Sequence, residues 1–262
     1  MKELNIKLVY FSATNTTKKI VRLIAENIGG NITEYNITQK VPEADIHAGD
    51  KDLLIVGMPV YAGRIPSKAA KSLHRFKGDN TPAIIVCIYG NRDYDDALLE
   101  LKDLVEANGF KVVSAGAFIA QHSIFPKVGM ARPDEKDISQ IKDFAVKSAE
   151  VLLSVADAKL LPNIIVKGHR PYKTPGNIPL KPKGNRHCNA CGTCVVQCPV
   201  QAIPEKTPRK TQKEICISCG RCIVVCPQKA RSFGGLLYAI AGRKFVKANA
   251  ARKEPEMFWG TV

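Results

Sequence analysis

Long hydrophobic runs are missing from this 262-residue sequence. The apolar run at 236–241 is the longest near the C-terminus, and it is far too short to span a bilayer. The first five residues, Met-Lys-Glu-Leu-Asn, do not open an apolar signal region. We therefore expect a cytoplasmic protein whose thiols stay reduced, since disulfides persist mainly in oxidising compartments.

Acidic residues are scarce in the C-terminal region. Residues 1–155 hold 20 Lys and Arg against 19 Asp and Glu, whereas residues 156–262 hold 19 against 5, so this second region carries almost all of the net charge of +15. A basic surface speeds association with an acidic partner. The candidates are an acidic redox protein, an anionic membrane face or nucleic acid, and the alternative is a lysine-rich surface that only aids solubility. Nucleic acid is disfavoured because the sequence shows no binding fold and no interleaved aromatic and basic residues.

Two nucleotide-binding motifs are also absent. The sequence contains no G-x-x-x-x-G-K-[ST] run, which argues against a P-loop NTPase. It contains no G-x-G-x-x-G fingerprint either, so nothing predicts bound NAD(P).

Cysteines are present in an informative pattern. Eight of the nine form two runs of the type C-x2-C-x2-C-x3-C-P, offset by 28 residues. This spacing is the one by which bacterial ferredoxins hold two [4Fe–4S] clusters. Structural zinc would need only two C-x2-C pairs, and a disulfide framework would need an oxidising compartment. The ninth cysteine, Cys87, lies in an apolar stretch and is predicted to be a small buried hydrophobe.

The fourth cysteine of each run is predicted to ligate the other cluster, because it lies too far round the turn for its own cube. Cluster I then takes Cys188, Cys191, Cys194 and Cys226, and cluster II takes Cys198, Cys216, Cys219 and Cys222.

Apolar runs alternate with helical periodicity in the N-terminal region. Strands are predicted at 4–11, 31–38, 52–58, 83–88 and 111–120, with helices around 20–28, 67–76, 97–107 and 134–155. This alternation predicts an α/β fold with a parallel sheet and right-handed crossovers.

Three polar loops follow strand ends, at 12–17, 59–66 and 89–96. Ligands bind beyond the carboxyl ends of parallel strands, so the loops are expected to converge on one crevice. The first loop is rich in hydroxyls and opens a helix, which makes it a predicted anion site.

Residues 4–155 resemble a flavodoxin and residues 187–232 resemble a bacterial-type ferredoxin. Together they resemble the flavodoxin–ferredoxin fusion proteins of anaerobic prokaryotes. The resemblance implies a doubly wound five-stranded parallel sheet in the order 2-1-3-4-5, with a small α+β two-cluster ferredoxin domain. In the flavodoxin phosphate loop, [ST]-x-T-G-x-T, Asn15 replaces the glycine here, and Asn tolerates positive φ better than most residues.

The resemblance also implies noncovalent FMN, bound by the three loops. Tyr61 and Tyr94 are the candidates to stack on the flavin ring, unless they are ordinary surface or core aromatics. The implied contacts are Ser12, Thr14, Asn15, Thr16, Thr17, Pro59, Val60, Tyr61, Ala62, Gly63, Tyr89, Gly90, Asn91, Arg92, Tyr94 and Asp96.

Four segments are expected along the chain: a flavodoxin-like domain (1–155), a proline-rich linker (156–186), a ferredoxin-like domain (187–232) and a basic tail (233–262). The tail is predicted to form an amphipathic helix over 236–247. This helix could lie on a membrane, receive a partner, or pack on the protein itself. Residues 257–259 are expected to tuck against the same surface.

The cofactor pair predicts electron transfer, since FMN exchanges one or two electrons and each cluster exchanges one. The expected partner is an acidic redox protein such as a ferredoxin, a flavodoxin or a larger oxidoreductase. One alternative is an FMN and iron–sulfur oxidoreductase acting on a small acceptor such as a quinone, and another is a docking subunit of a membrane redox complex. No catalytic residue is assigned, because the lone loop residue His122 is more typical of a structural or solvated histidine. The sequence leaves the direction of electron flow and the oligomeric state open.

Overall fold

A computed structural model describes residues 4–154, 157–176 and 178–260. In chain order its elements are β1 (Asn5–Tyr10), α1 (Thr16–Ile28), β2 (Asn31–Asn36), β3 (Ile46–His47), β4 (Asp52–Pro59), α2 (Ser67–Leu73), β5 (Phe76–Lys77), β6 (Thr81–Tyr89), α3 (Ala97–Ala107), β7 (Phe110–Ile119), α4 (Glu135–Leu153), a 3₁₀ turn (Ala158–Leu160), β8 (Lys183–Gly184), α5 (Thr193–Val196), α6 (Arg221–Val224), β9 (Arg231–Ser232), α7 (Leu236–Ala248) and β10 (Glu256–Trp259). The residue pair at 155–156, where the predicted α4 helix was expected to end, lies outside the described residues.

The central sheet has six strands in the order β10-β7-β6-β4-β1-β2. Strands β2, β1, β4, β6 and β7 are parallel, which confirms the α/β class with a mostly parallel sheet. The predicted count of five strands is wrong, because β10 pairs antiparallel with β7. The chain thus covers the open edge of β7, which would otherwise present unpaired backbone groups.

Helices cover both faces of this sheet, which explains why its central strands are apolar throughout. On one face, α1 and α4 pack on the sheet through the side chains of Ile20, Ile24 and Phe144. On the other face, α2 and α3 enclose a second core that includes Leu73 and Leu98. The helix predicted at 67–76 ends at Leu73, and the chain then forms the short strand β5.

The segment predicted as a linker is bound along the first domain. Ile164 and Val166 are buried in its core. The Asp96 carboxylate accepts hydrogen bonds from the backbone N–H groups of His169 (2.9 Å) and Lys173 (2.6 Å). These contacts hold the proline-rich segment on the domain surface before the chain enters the cysteine-rich region.

The C-terminal tail returns to the first domain through α7 and β10. Tyr238 and Phe245 of α7 pack against Phe125, with ring centroids 5.2 and 5.0 Å away. Trp259 of β10 packs on Phe144 of α4 at 5.7 Å. The tail therefore packs on the protein itself, with residues 257–259 paired in the sheet. Among the described residues, no helix has both the length and the hydropathy needed to cross a membrane.

Candidate cofactor sites

The first loop forms an anion site at the start of α1. Asn15 has φ 66° and occupies the N-cap position, but its side chain makes no capping hydrogen bond. The first turn of α1 carries no acidic residue. Since the first N–H groups of a helix lack intrahelical partners, those of Thr16 and Thr17 remain available to a phosphate here. Thr14, Thr16 and Thr17 add hydroxyls to the wall of the adjoining cavity.

Ser12 shapes this loop and does not line the cavity. Its buried hydroxyl accepts the Lys18 N–H at 3.0 Å, and its own N–H donates to Thr38 Oγ1 at 2.7 Å. Both bonds tie the loop to its neighbours, so Ser12 acts on the loop's conformation.

The second loop is a tight turn that presents Tyr61 to the cavity. Tyr61 and Arg64 exchange backbone hydrogen bonds of 2.8 and 3.2 Å, while Ala62 and Gly63 both have positive φ (52° and 85°). A side chain on Gly63 would meet Asp95, so the position requires glycine. Gly63 therefore serves the turn, whereas Pro59, Val60, Tyr61 and Ala62 line the cavity.

The third loop contributes less than predicted. Tyr89 and Gly90 line the cavity. The prediction that Tyr94 stacks on the flavin is wrong, because its ring is fully buried and its hydroxyl donates to Glu256 of β10 at 2.7 Å.

Three other residues of this loop that were predicted to contact the flavin bind protein groups instead. Asn91 donates to the carbonyl oxygens of Asn249 (2.9 Å) and Ala251 (2.8 Å), which anchors the tail. Arg92 pairs with Asp95. Asp96 holds the linker, as described above. Asn91 and Asp96 are therefore corrected from flavin contacts to residues that hold distant segments in place, and Arg92 to a residue that pairs within its own loop.

Sequence reasoning missed the loop after β7, although it too follows a strand end. Residues 120–124 line the cavity, together with Ile178, Ile217 and Ser218. His122 Nδ1 accepts the N–H groups of Ile124 and Phe125, each at 3.1 Å. Burial, aided by the Arg92 charge, lowers the pKa of His122 to about 4, so the imidazole is neutral near pH 7.

The lining of this cavity suits FMN. Its threonine hydroxyls and free helix N–H groups match a phosphate, and its tyrosines match a planar ring. No Asp, Glu, Lys or Arg lines it within the described part of the chain.

The cysteines of the second region surround two further cavities. Four line one cavity and four line the other, in the crossed grouping that the spacing predicts: Cys188, Cys191, Cys194 and Cys226, then Cys198, Cys216, Cys219 and Cys222. In the described ranges, no three His, Cys, Asp or Glu side chains are grouped so as to hold a single metal ion.

Backbone N–H groups point at several of these sulfurs. The N–H groups of Ala202 and Ala230 lie 3.3 and 3.2 Å from Cys198 Sγ and Cys226 Sγ, respectively. The Ser218 N–H lies 3.4 Å from Cys216 Sγ. Such bonds stabilise thiolates and tune iron–sulfur clusters, so both donor sets suit a [4Fe–4S] cube.

The cluster II cavity adjoins the flavin cavity. Ile217 lines both. Burial, together with the neighbouring Cys219 sulfur, raises the pKa of Tyr61 well above its usual value. Arg221 donates to the Ala13 carbonyl and to Asn15 Oδ1, both at 3.3 Å. One turn of the cysteine-rich region therefore packs directly on the phosphate loop and on Tyr61.

Comparisons with known families also separate a flavin-binding region from a cysteine-rich region. A flavodoxin domain model matches residues 7–108. Two models described as 4Fe-4S binding domains match residues 186–201 and 210–232. No curated protein matches the chain.

Solved structures resemble the first domain. A flavodoxin from Streptococcus pneumonia is 19% identical over 58% of this chain and 99% of its own, with a TM-score of 0.41. A Fusobacterium nucleatum flavodoxin bound to flavin mononucleotide is 16% identical over 56% and 97%, with a TM-score of 0.42. The rubredoxin oxygen:oxidoreductase of Desulfovibrio gigas is 18% identical over 58% of this chain but only 37% of its own, with a TM-score of 0.42.

The matched regions contain the first three loops of the flavin cavity and all eight cysteines of the other two cavities. The chain is therefore a flavodoxin domain fused to two ferredoxin-type motifs, an electron-transfer protein that uses FMN and two [4Fe–4S] clusters.

Proposed function

We propose that this protein passes electrons between an external redox partner and its flavin, with cluster I at the partner side and cluster II between. When bound, FMN supplies one- or two-electron chemistry and each cluster supplies one-electron chemistry. The observation that carries the proposal is the shared wall at Ile217, which separates the cluster II cavity from the flavin cavity. Arg221 supports it by fixing this wall to the phosphate loop.

The residues around cluster I suit the partner side. Cys191 of cluster I is exposed, whereas every cysteine of cluster II is buried or half-buried. Arg209 donates to the Cys188 carbonyl at 3.1 Å and is itself exposed. This basic rim favours an acidic redox protein as the partner.

The alternative, a reductase of a small acceptor such as a quinone, has less support. The flavin cavity offers no carboxylate or lysine among its described lining residues, and His122 uses Nδ1 to accept backbone N–H groups. Ile178 and Ile217 also lie against the cavity, where a second substrate would need room.

Removing cluster II should break the route. In Cys216→Ala, stopped-flow mixing with a reduced acidic ferredoxin should still reduce cluster I, while flavin reduction slows at least tenfold. The control is Cys87→Ala, because Cys87 is buried in β6 and lines neither cluster cavity. Flavin reduction at the wild-type rate in Cys216→Ala would contradict the route. Equal flavin reoxidation by a small quinone in both variants would favour the reductase.

A further inference from the structure

The two cysteine runs fold as near-copies of each other, 28 residues apart. Gln201 and Lys229 occupy equivalent positions and have similar positive φ values, 54° and 47°. Ala190 and Ser218 are equivalent too, with 59° and 56°. Equivalent residues can therefore be compared as if they came from one site.

One buried pair breaks this symmetry chemically. Ile203 is 4% exposed and packs with Cys194 and Cys222, one ligand of each cluster. Its equivalent is Arg231, which is 2% exposed and lines the cluster I cavity. A permanently charged guanidinium thus replaces an isoleucine in otherwise similar surroundings.

Arg231 has no carboxylate partner among the residues that the structure describes. Its terminal nitrogens donate to the Pro182 carbonyl (3.1 Å), the Pro208 carbonyl and the Thr211 hydroxyl. Its Nε is buried and finds no hydrogen-bond partner in the described part of the chain. None of the ion pairs found in the described ranges includes Arg231. Burying an unpaired guanidinium is costly, so a negative charge must lie nearby.

The cysteine sulfurs are the nearest source of that charge. Arg231 lines the cluster I cavity, as does its hydrogen-bond partner Pro208. Its other two partners, Pro182 and Thr211, line the cluster II cavity. Arg231 therefore lies within electrostatic reach of both ligand sets.

We propose that Arg231 is the buried counter-charge of the two clusters and raises their reduction potentials above those that an apolar residue would give. This rests on the presence of both clusters but not on the route proposed for electrons. With four thiolates, an oxidised cube carries a charge of about −2, and reduction by one electron makes it about −3. A fixed cation stabilises the more negative form more strongly, and burial keeps the effect from being screened.

The repeat supplies a matched pair of variants. Arg231→Ile and Lys229→Gln each install the residue of the equivalent position and each remove one positive charge, but Lys229 is exposed. In the full chain carrying both clusters, potentials are read by redox titration with electron paramagnetic resonance. Arg231→Ile should make the reduction of at least one cluster at least tenfold less favourable. This corresponds to a reduction potential lower by about 59 mV for a one-electron couple. Lys229→Gln should leave both potentials unchanged.

Arg231→Lys separates charge from packing. It should restore most of the wild-type potential, and the shift in Arg231→Ile should persist in high salt. If Arg231→Ile does not assemble clusters, Arg231→Gln is compared with Arg231→Lys, and equal potentials in these two would overturn the proposal. Unchanged potentials in Arg231→Ile with full iron content would overturn it as well. Wild-type protein lacking iron after reconstitution would instead count against the two clusters themselves.

Discussion

Individual cysteines carry the iron–sulfur chemistry, and their grouping depends on folding. Cys198 follows Cys194 by only four residues, yet the two sulfurs line different cavities. The short helix α5 ends between them and the chain turns at Pro199, so the fourth sulfur faces the other cube.

Replacing Cys198 with Ala should therefore damage cluster II, although Cys198 lies in the first run. Iron analysis should show the loss of one cluster, and electron paramagnetic resonance should retain the cluster I signal. Cys194→Ala is the matched comparison from the same run, and it should damage cluster I. Loss of the same cluster in both variants would disprove the crossed ligation.

Hydroxyls at the start of α1 provide the second residue-level prediction. The double substitution Thr14→Ala, Thr16→Ala should weaken FMN binding, because each hydrogen bond to a charged group contributes about 1.5–3 kcal/mol. The measurement is flavin affinity of the apoprotein by fluorescence quenching. Thr33→Ala, at an exposed position of β2, serves as the control. FMN affinity equal to that of the wild type would place the phosphate elsewhere.

The helix α7 shows how one element presents two different faces. Tyr238, Phe245 and Val246 pack inward on the loop after β7. Leu236, Leu237 and Ile240 are 77%, 55% and 61% exposed. At 100° per residue, Arg243, Lys244 and Lys247 fall on the same outward face, so apolar and basic groups lie together there.

We propose that this outward face binds an anionic lipid surface, since apolar insertion and basic residues act together on such membranes. Co-sedimentation with vesicles containing anionic lipid should be measurable and should fall with neutral vesicles or added salt. Leu237→Ser with Ile240→Ser should reduce it at least threefold. The control is Leu153→Ser, which removes a leucine of α4 that is 74% exposed, and it should leave the sedimentation unchanged. Equal sedimentation of all variants would show that this face does not bind lipid. It would then bind a protein partner or serve solubility alone.

Seen as one molecule, the chain wraps around its flavodoxin domain. The linker lies along the domain, the ferredoxin-type motifs cover its flavin cavity, and β10 completes its sheet. Contacts such as Gln39 Nε2 to Gln197 Oε1, at 3.0 Å, join the two cofactor regions. Within the +14 charge of residues 156–262, the cluster-binding residues 187–232 hold seven Lys and Arg against two Asp and Glu, so the side of the molecule that carries the clusters is basic.

Association with an acidic carrier should be steered to that side. Stopped-flow reduction by an acidic ferredoxin should slow steeply as ionic strength rises, because salt screens the attraction over about 10 Å at 0.1 M. Reversal of four exposed basic residues in the segment between the two cysteine runs should flatten this dependence: Lys206, Arg209, Lys210 and Lys213 to Glu. The control reverses four exposed basic residues of the flavodoxin domain: Lys40, Lys51, Arg75 and Lys142. A rate independent of salt would remove this role from the basic region.

The sequence by itself was enough to predict the features that depend on residues close together in the chain. Ligand spacing along 188–226 predicted both cysteine groups, because a few covalent bonds limit which sulfurs can share a cube. Asn15 was expected to accept positive φ, and the structure has φ 66° there. The alternation of apolar strands with helices likewise predicted the α/β class.

Only the tertiary structure revealed features that depend on residues distant in the chain. Tyr94 and Asn91 belong to a strand-end loop, but their partners lie about 160 positions later, in the tail. The same long-range folding adds β10 to the sheet and brings Ile217 against the flavin cavity. Buried polar groups must find partners wherever the fold supplies them, and local sequence does not specify which segment that is.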